Sequence, residues 1–189
     1  MTPRSAFASI AAMLLLASCS STGTATLDPR TWFGSNKSEP KPVTRESPGV
    51  EARLKAIGTS INGTVRVRES GDLLVVRAEL VNAMPGTSYR LVFHSNGNCS
   101  SPNGFSAGPP WSPPGAKEPP GRLVPEVYVN SEGNGILTAR LRGVGMGGDA
   151  GLLNRSVLVY QGSFVETPKP DVANNVVACG AFVRATALF

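Results

Sequence analysis

Between residues 64 and 80 the chain alternates apolar and charged side chains with a period of two. Thr64-Val65-Arg66-Val67-Arg68 sets valine on one side and arginine on the other. Leu74, Val76, Ala78 and Leu80 then fall on one side of a second run, with Arg77 and Glu79 opposite. A period of 3.6 would wind these residues around a helix, whereas a period of two gives a strand with one face buried. Gly71-Asp72 separates the runs and is a hairpin signal. Strand-like segments follow or precede at Ala52–Ile57, Tyr89–His94, Leu123–Asn130, Ile136–Arg142, Ser156–Tyr160 and Ala178–Ala185, with another turn at residues 130–135. No convincing helix interrupts them, and 21 Gly and 16 Pro supply the turns that so many short strands need. The expected fold is all-β: an eight-stranded antiparallel Greek-key sandwich or flattened barrel. Two connections are long, Ser95–Gly121 with seven prolines and Gln161–Asn175.

The N-terminus has a different character. Arg4 precedes an apolar stretch from Ala6 to Leu16, shorter than the roughly 20 residues of a membrane-spanning helix and typical of a signal peptide. Leu16-Ala17-Ser18-Cys19 resembles the lipobox of bacterial lipoproteins. By that resemblance residues 1–18 are a leader, and Cys19 carries the lipid that anchors the protein in the membrane. Ser20 follows without the aspartate that marks inner-membrane retention, so the expected location is the periplasmic side of the outer membrane. Residues 19–50 are polar, broken by Pro29, Pro40, Pro42 and Pro48, and read as a tether. Trp32 and Phe33 are out of place in so polar a stretch and are candidates for interaction. With Cys19 acylated, Cys99 and Cys179 remain as a pair in an oxidising compartment; two free buried thiols are the alternative.

The formal net charge is +5, and Arg53, Lys55, Arg66, Arg68, Arg77, Arg140 and Arg142 are dispersed along the sequence. Nucleic-acid binding calls for a concentrated basic footprint, so that class is set aside. A solvated strand face is the expectation, with attraction to an anionic envelope surface or an envelope protein left open.

Four segments of residues 51–189, in order, resemble the copper/zinc superoxide dismutase family. Gly86 to Cys99, with His94, Gly97 and Cys99, is similar to the segment bearing a His-x-His copper pair and the first cysteine. Ser106-Ala107-Gly108-Pro109-Pro110-Trp111-Ser112-Pro113 resembles Ser-Ala-Gly-Pro-His-Phe-Asn-Pro. Gly148-Asp149 through Arg155-Ser156-Val157-Leu158-Val159-Tyr160 resembles the Gly-Asp … Gly-Arg-Ser-Val-Val-Val-His run, and Ala178-Cys179-Gly180-Ala181 the Ala-Cys-Gly-Val element. The resemblance implies an eight-stranded Greek key and a Cys99–Cys179 disulfide.

It also implies a lost metal site. Of the family's copper histidines only His94 has a counterpart; Val92, Pro110 and Tyr160 stand for the others, and Val176 for the arginine that attracts superoxide. The segment that would carry the zinc ligands, between Pro113 and Glu126, has neither His nor Asp. One histidine in the whole chain cannot build the multi-imidazole cage of a redox copper. No catalytic residue, metal or cofactor is therefore expected, and a neutral His94 packed near the Tyr160 hydroxyl is. The resulting expectation is a non-catalytic binding or scaffolding lipoprotein, with Phe105 and Trp111 in the proline-rich loop as further interaction candidates. The alternatives are a divergent dismutase and a lipoprotein that binds copper weakly, with Met84 or Met146 assisting His94.

Overall fold

A computed structural model of the protein describes residues 49–163 and 175–186. Residues 1–18, Cys19, Trp32 and Phe33 lie outside the described residues, as does most of the second long loop.

Eight strands follow in chain order: β1 Val50–Ala56, β2 Asn62–Ser70, β3 Leu73–Val81, β4 Ser88–His94, β5 Val127–Tyr128, β6 Gly135–Arg142, β7 Ser156–Gln161 and β8 Val176–Arg184. Every pairing is antiparallel, in the order β5-β4-β7-β8-β1-β2-β3-β6. A bridge between Val129 and Gly135 brings the two ends of this order together and nearly closes a flattened barrel. The meander β1-β2-β3 is followed by a crossing to β4; β6 returns beside β3, and β7 goes back between β4 and β8. That is the Greek-key connectivity expected from the strand pattern.

The alternation around residue 71 sets the register. Ser70 pairs with Leu73, leaving Gly71-Asp72 as a two-residue turn in which Gly71 takes φ 63°, a conformation costly for any other residue. Val65, Val67, Leu74, Val76, Ala78 and Leu80 are buried, while Arg66, Arg68, Arg77 and Glu79 face outward. The second turn is organised by Asn130, whose Oδ1 accepts from the amides of Glu132 at 3.0 Å and Asn134 at 2.9 Å. Inside the barrel, Phe93 and Phe182 meet edge to face with centroids 5.7 Å apart.

Two elements differ from the sequence reading. The strand expected over Leu123–Asn130 pairs only at Val127–Tyr128. Pro125 has no N–H to give a ladder, so Leu123 and Val124 reach the core as a loop, with Val124 buried. A single 3₁₀ turn, Phe105–Ala107, also sits within the proline-rich loop.

Candidate functional site at His94 and Tyr160

β4 and β7 lack the one-sided pattern of β2 and β3: six of the seven residues of β4 and five of the six of β7 are buried. Tyr89, Leu91, Phe93, Val157 and Val159 fill the barrel interior. The alternate residues Val92, Leu158 and Tyr160, with Cys179 of β8, form a second cluster together with Ala107, Ile57, Cys99 and Val176. This cluster lies on the outside of the barrel wall, and the loop after β4 covers it.

Three devices hold that cover in place. The Cys99–Cys179 disulfide ties the loop to β8, closing a separation of 80 residues. The chain then folds back along the end of β4: Ser95 N donates to Pro109 O at 3.0 Å, Asn96 N to Ala107 O at 2.9 Å, and Trp111 N to Phe93 O at 2.7 Å. Between these, Ser101 and Ser106 bond reciprocally, Ser106 N to Ser101 Oγ at 2.8 Å and Ser101 N to Ser106 Oγ at 3.0 Å. Backbone polar groups that would otherwise be stranded in the loop thus find partners.

His94 is fully buried beneath this cover. Its Nδ1 lies 2.7 Å from the Gly108 carbonyl oxygen and its Nε2 lies 3.1 Å from Tyr160 Oη. A carbonyl can only accept, so Nδ1 must carry the proton and donate. In the neutral ring Nε2 is then the acceptor, and the Tyr160 hydroxyl donates to it. Burial pushes the imidazole pKa below its ordinary value, with the Gly108 contact opposing. Geometry and electrostatics agree on a neutral imidazole with a fixed tautomer. Gly108 can make this contact only as glycine: its φ is 74°, and a Cβ there would lie 2.5 Å from Ser95 Oγ.

Tyr160 joins His94 to a third buried polar residue. The rings of His94 and Tyr160 are nearly parallel, 19° between planes and 6.1 Å between centroids. On the other side, Arg90 places its guanidinium carbon 5.6 Å from the Tyr160 centroid, within cation–π range. Burial lowers the Arg90 pKa, with Tyr160 and Glu126 opposing and Arg122 adding to the decrease. Arg90, Val92 and His94 alternate along β4, so a column Arg90–Tyr160–His94–Gly108 runs beneath the loop. Sequence reasoning passed over Arg90; the signal was its place on the same strand face as His94.

The remaining candidates are placed as follows. Val92 is fully buried, Val176 packs against the same outer cluster, and Pro110 bridges His94 through the backbone. None of the three has a side-chain donor atom for a metal. Both His94 nitrogens are engaged, and Cys99 and Cys179 are bonded to one another. Among the described residues no three of His, Cys, Asp and Glu come together. The donor set at this place therefore does not fit a copper or zinc ion. The two methionines do not change this. Met84 is exposed near the Tyr89 end of β4, where Tyr89 Oη accepts from its amide. Met146 packs on the interior core.

Phe105 and Trp111 have separate fates. Phe105 is 58% exposed. Trp111 is half-buried, with the Arg155 guanidinium 4.0 Å from its ring centroid. Arg155 also donates to the carbonyls of Gly151 at 2.7 Å, Asp149 at 2.9 Å and Ser95 at 3.3 Å. Trp111 is thus a clasp between two loops. Compared with known proteins, the chain matches no family model and no curated protein.

Proposed function

We propose that this chain is a non-catalytic module of the bacterial envelope, a superoxide dismutase-like Greek-key barrel carried as a lipoprotein and used for binding or scaffolding. The observation that carries the reading is the state of His94. The only imidazole in the chain is buried, with one nitrogen donating to Gly108 O and the other accepting from Tyr160 Oη. To ligate an ion or shuttle a proton to a substrate it would have to surrender one of those bonds inside a sealed cluster. Leaving a buried polar group unpaired costs about 1–3 kcal/mol, and the neighbouring Val92, Pro110 and Val176 have no donor to offset it. The disulfide-pinned loop adds rigidity, which suits a display scaffold better than a site that must admit a substrate.

Metal analysis of the full protein purified from the periplasm, together with a superoxide assay, tests this. The expected result is no stoichiometric copper or zinc after dialysis and no dismutation above buffer. Copper that survives dialysis at one ion per chain and disappears in His94→Ala would overturn it.

A further inference from the structure

The seven cations dispersed along the sequence are gathered by the fold. The strand register aligns Glu51 with Arg66, Arg66 with Arg77, and Arg77 with Thr138 in one row across four strands. The next row aligns Arg68, Val75 and Arg140. Arg53 and Lys55 share the outward parity of Glu51 on β1, and Arg142 that of Arg140 on β6. All seven therefore stand on the outer face of β1-β2-β3-β6, about 4.8 Å apart from strand to strand and about 7 Å apart along a strand. On that outward parity the carboxylates of these strands are Glu51 and Glu79; Glu69, exposed at the end of β2, has the opposite parity and pairs with Leu74. Seven cations against two carboxylates leave a formal excess of five, equal to the net charge of the entire chain. The remaining residues are balanced in charge.

The face is shaped as well as charged. A groove of about 730 Å³ runs between Arg53, Arg66, Arg68 and Arg77. Glu51 accepts from Arg53 Nε at 2.9 Å and Arg66 Nε at 3.1 Å, and Glu79 accepts from Arg77 Nε at 2.8 Å. The carboxylates thereby orient three guanidiniums without cancelling the excess. Exposed aliphatic side chains share the face: Ile136 (64% exposed) on β6, and Val183 (58%), paired with Glu51, on β8. No outward position on the four strands is aromatic, so the face has nothing to stack on a base or a sugar ring. β2 and β3 are paired on both sides and leave no edge for a peptide strand.

We infer that this face is a docking surface for an anionic lipid bilayer. Lipid phosphates would enter the groove between the guanidiniums, whose planar forks match phosphate oxygens. Ile136 and Val183 would rest at the level of the headgroups. The inference does not depend on acylation of Cys19 or on the absence of catalysis. It supplies what the proposed function leaves open, namely which side of the barrel faces the membrane.

The test is co-sedimentation of the unlipidated full chain with vesicles of phosphatidylcholine alone or with about one-third phosphatidylglycerol. The apolar N-terminal stretch contributes to both, and the cations before the barrel to the anionic vesicles, so the change between parent and variants in the ratio of the two vesicle types isolates the charged face. Each basic residue near such a surface is worth about five-fold in binding. The variant Arg68→Gln/Arg140→Gln/Arg142→Gln should lose anionic selectivity on the order of 100-fold, with an unchanged thermal unfolding midpoint. Glu79→Gln, which removes a negative charge, should raise selectivity about five-fold, and it decides the matter if the triple variant does not fold. Equal binding to both vesicles, or selectivity unchanged in the foldable variants, overturns the inference. So does binding of soluble poly-L-glutamate or heparin through this face with no vesicle selectivity, which would assign it to an acidic polymer.

Discussion

The two sides of this barrel are both built from antiparallel strands, yet their outer faces are opposites. On β2 and β3 Val65, Val67, Leu74, Val76, Ala78 and Leu80 are buried, while the positions between them carry Arg66, Arg68, Arg77 and Glu79 into water. On β4 and β7 nearly every residue is buried, because a disulfide-pinned loop covers the outer face. The consequence is chemical. An open face holds its charges at little cost, since water solvates them. A covered face must pair its polar groups from within, and both ring nitrogens of His94 are paired there, with Gly108 O and Tyr160 Oη. The difference teaches that a barrel wall has no fixed character; what lies over it decides whether a strand reads as alternating or as continuously apolar.

The sharpest way to break this comparison is to empty the covered side. Leu158 is fully buried in the outer cluster. Leu158→Ala should lower the unfolding free energy by about 2–5 kcal/mol in chemical denaturation. A loss below about 1 kcal/mol would show that the loop is not packed tightly on β7. Next in size is the staple. Cys99→Ser/Cys179→Ser should cost about 2–4 kcal/mol and make residues 95–121 a site of limited proteolysis that the parent lacks. If the loop resists protease without the bridge, the Ser101–Ser106 bonds and the Trp111–Arg155 clasp suffice to hold it.

A smaller effect tests the column itself. Tyr160→Phe keeps the ring beneath Arg90 but removes the O–H that donates to His94 Nε2. It should destabilise by about 1–3 kcal/mol. Thermal unfolding of Tyr160→Phe beside the single His94→Gln and the double variant would measure the coupling. Additive losses would mean that the 3.1 Å contact contributes nothing as a pair.

How much of this the sequence displayed follows from the range of each interaction. β2 and β3 were legible because alternation and the Gly71-Asp72 turn are local. β4 and β7 were legible as short apolar runs, although nothing in them said what would cover the second face. β5 came out shorter than the run of hydrophobic residues because Pro125 interrupts the ladder. His94 and Tyr160 were paired only through the family resemblance, as counterparts of copper ligands, and they lie within hydrogen-bonding distance. The Gly108 carbonyl could not be foreseen, since a backbone acceptor carries no side-chain signature. The charged face was hidden for a related reason: residues 53, 66, 77 and 140 become neighbours only once non-local pairing fixes the register.

The comparison can be sharpened finally by pH, because each side contributes its own titrating group. His94 has its pKa lowered in the folded state, chiefly by burial. Below the unfolded value of about 6.5 the unfolded chain takes up a proton that the folded chain resists. Stability from His94 is therefore complete above about pH 6.5 and declines as the pH falls. On the open side, the Arg53 hydrogen bond, with burial working against it and Arg66 reinforcing it, holds the Glu51 carboxyl below its ordinary range. Its contribution is complete above the unfolded carboxylate value and is lost only as the pH falls further, through the folded one. Urea unfolding across this range should thus show two descending arms. His94→Gln should flatten the upper arm and leave the lower one, and Glu51→Gln should do the reverse. Parallel upper arms in the parent and His94→Gln would mean that the buried imidazole does not resist protonation, and the tautomer fixed by Gly108 and Tyr160 would have to be abandoned.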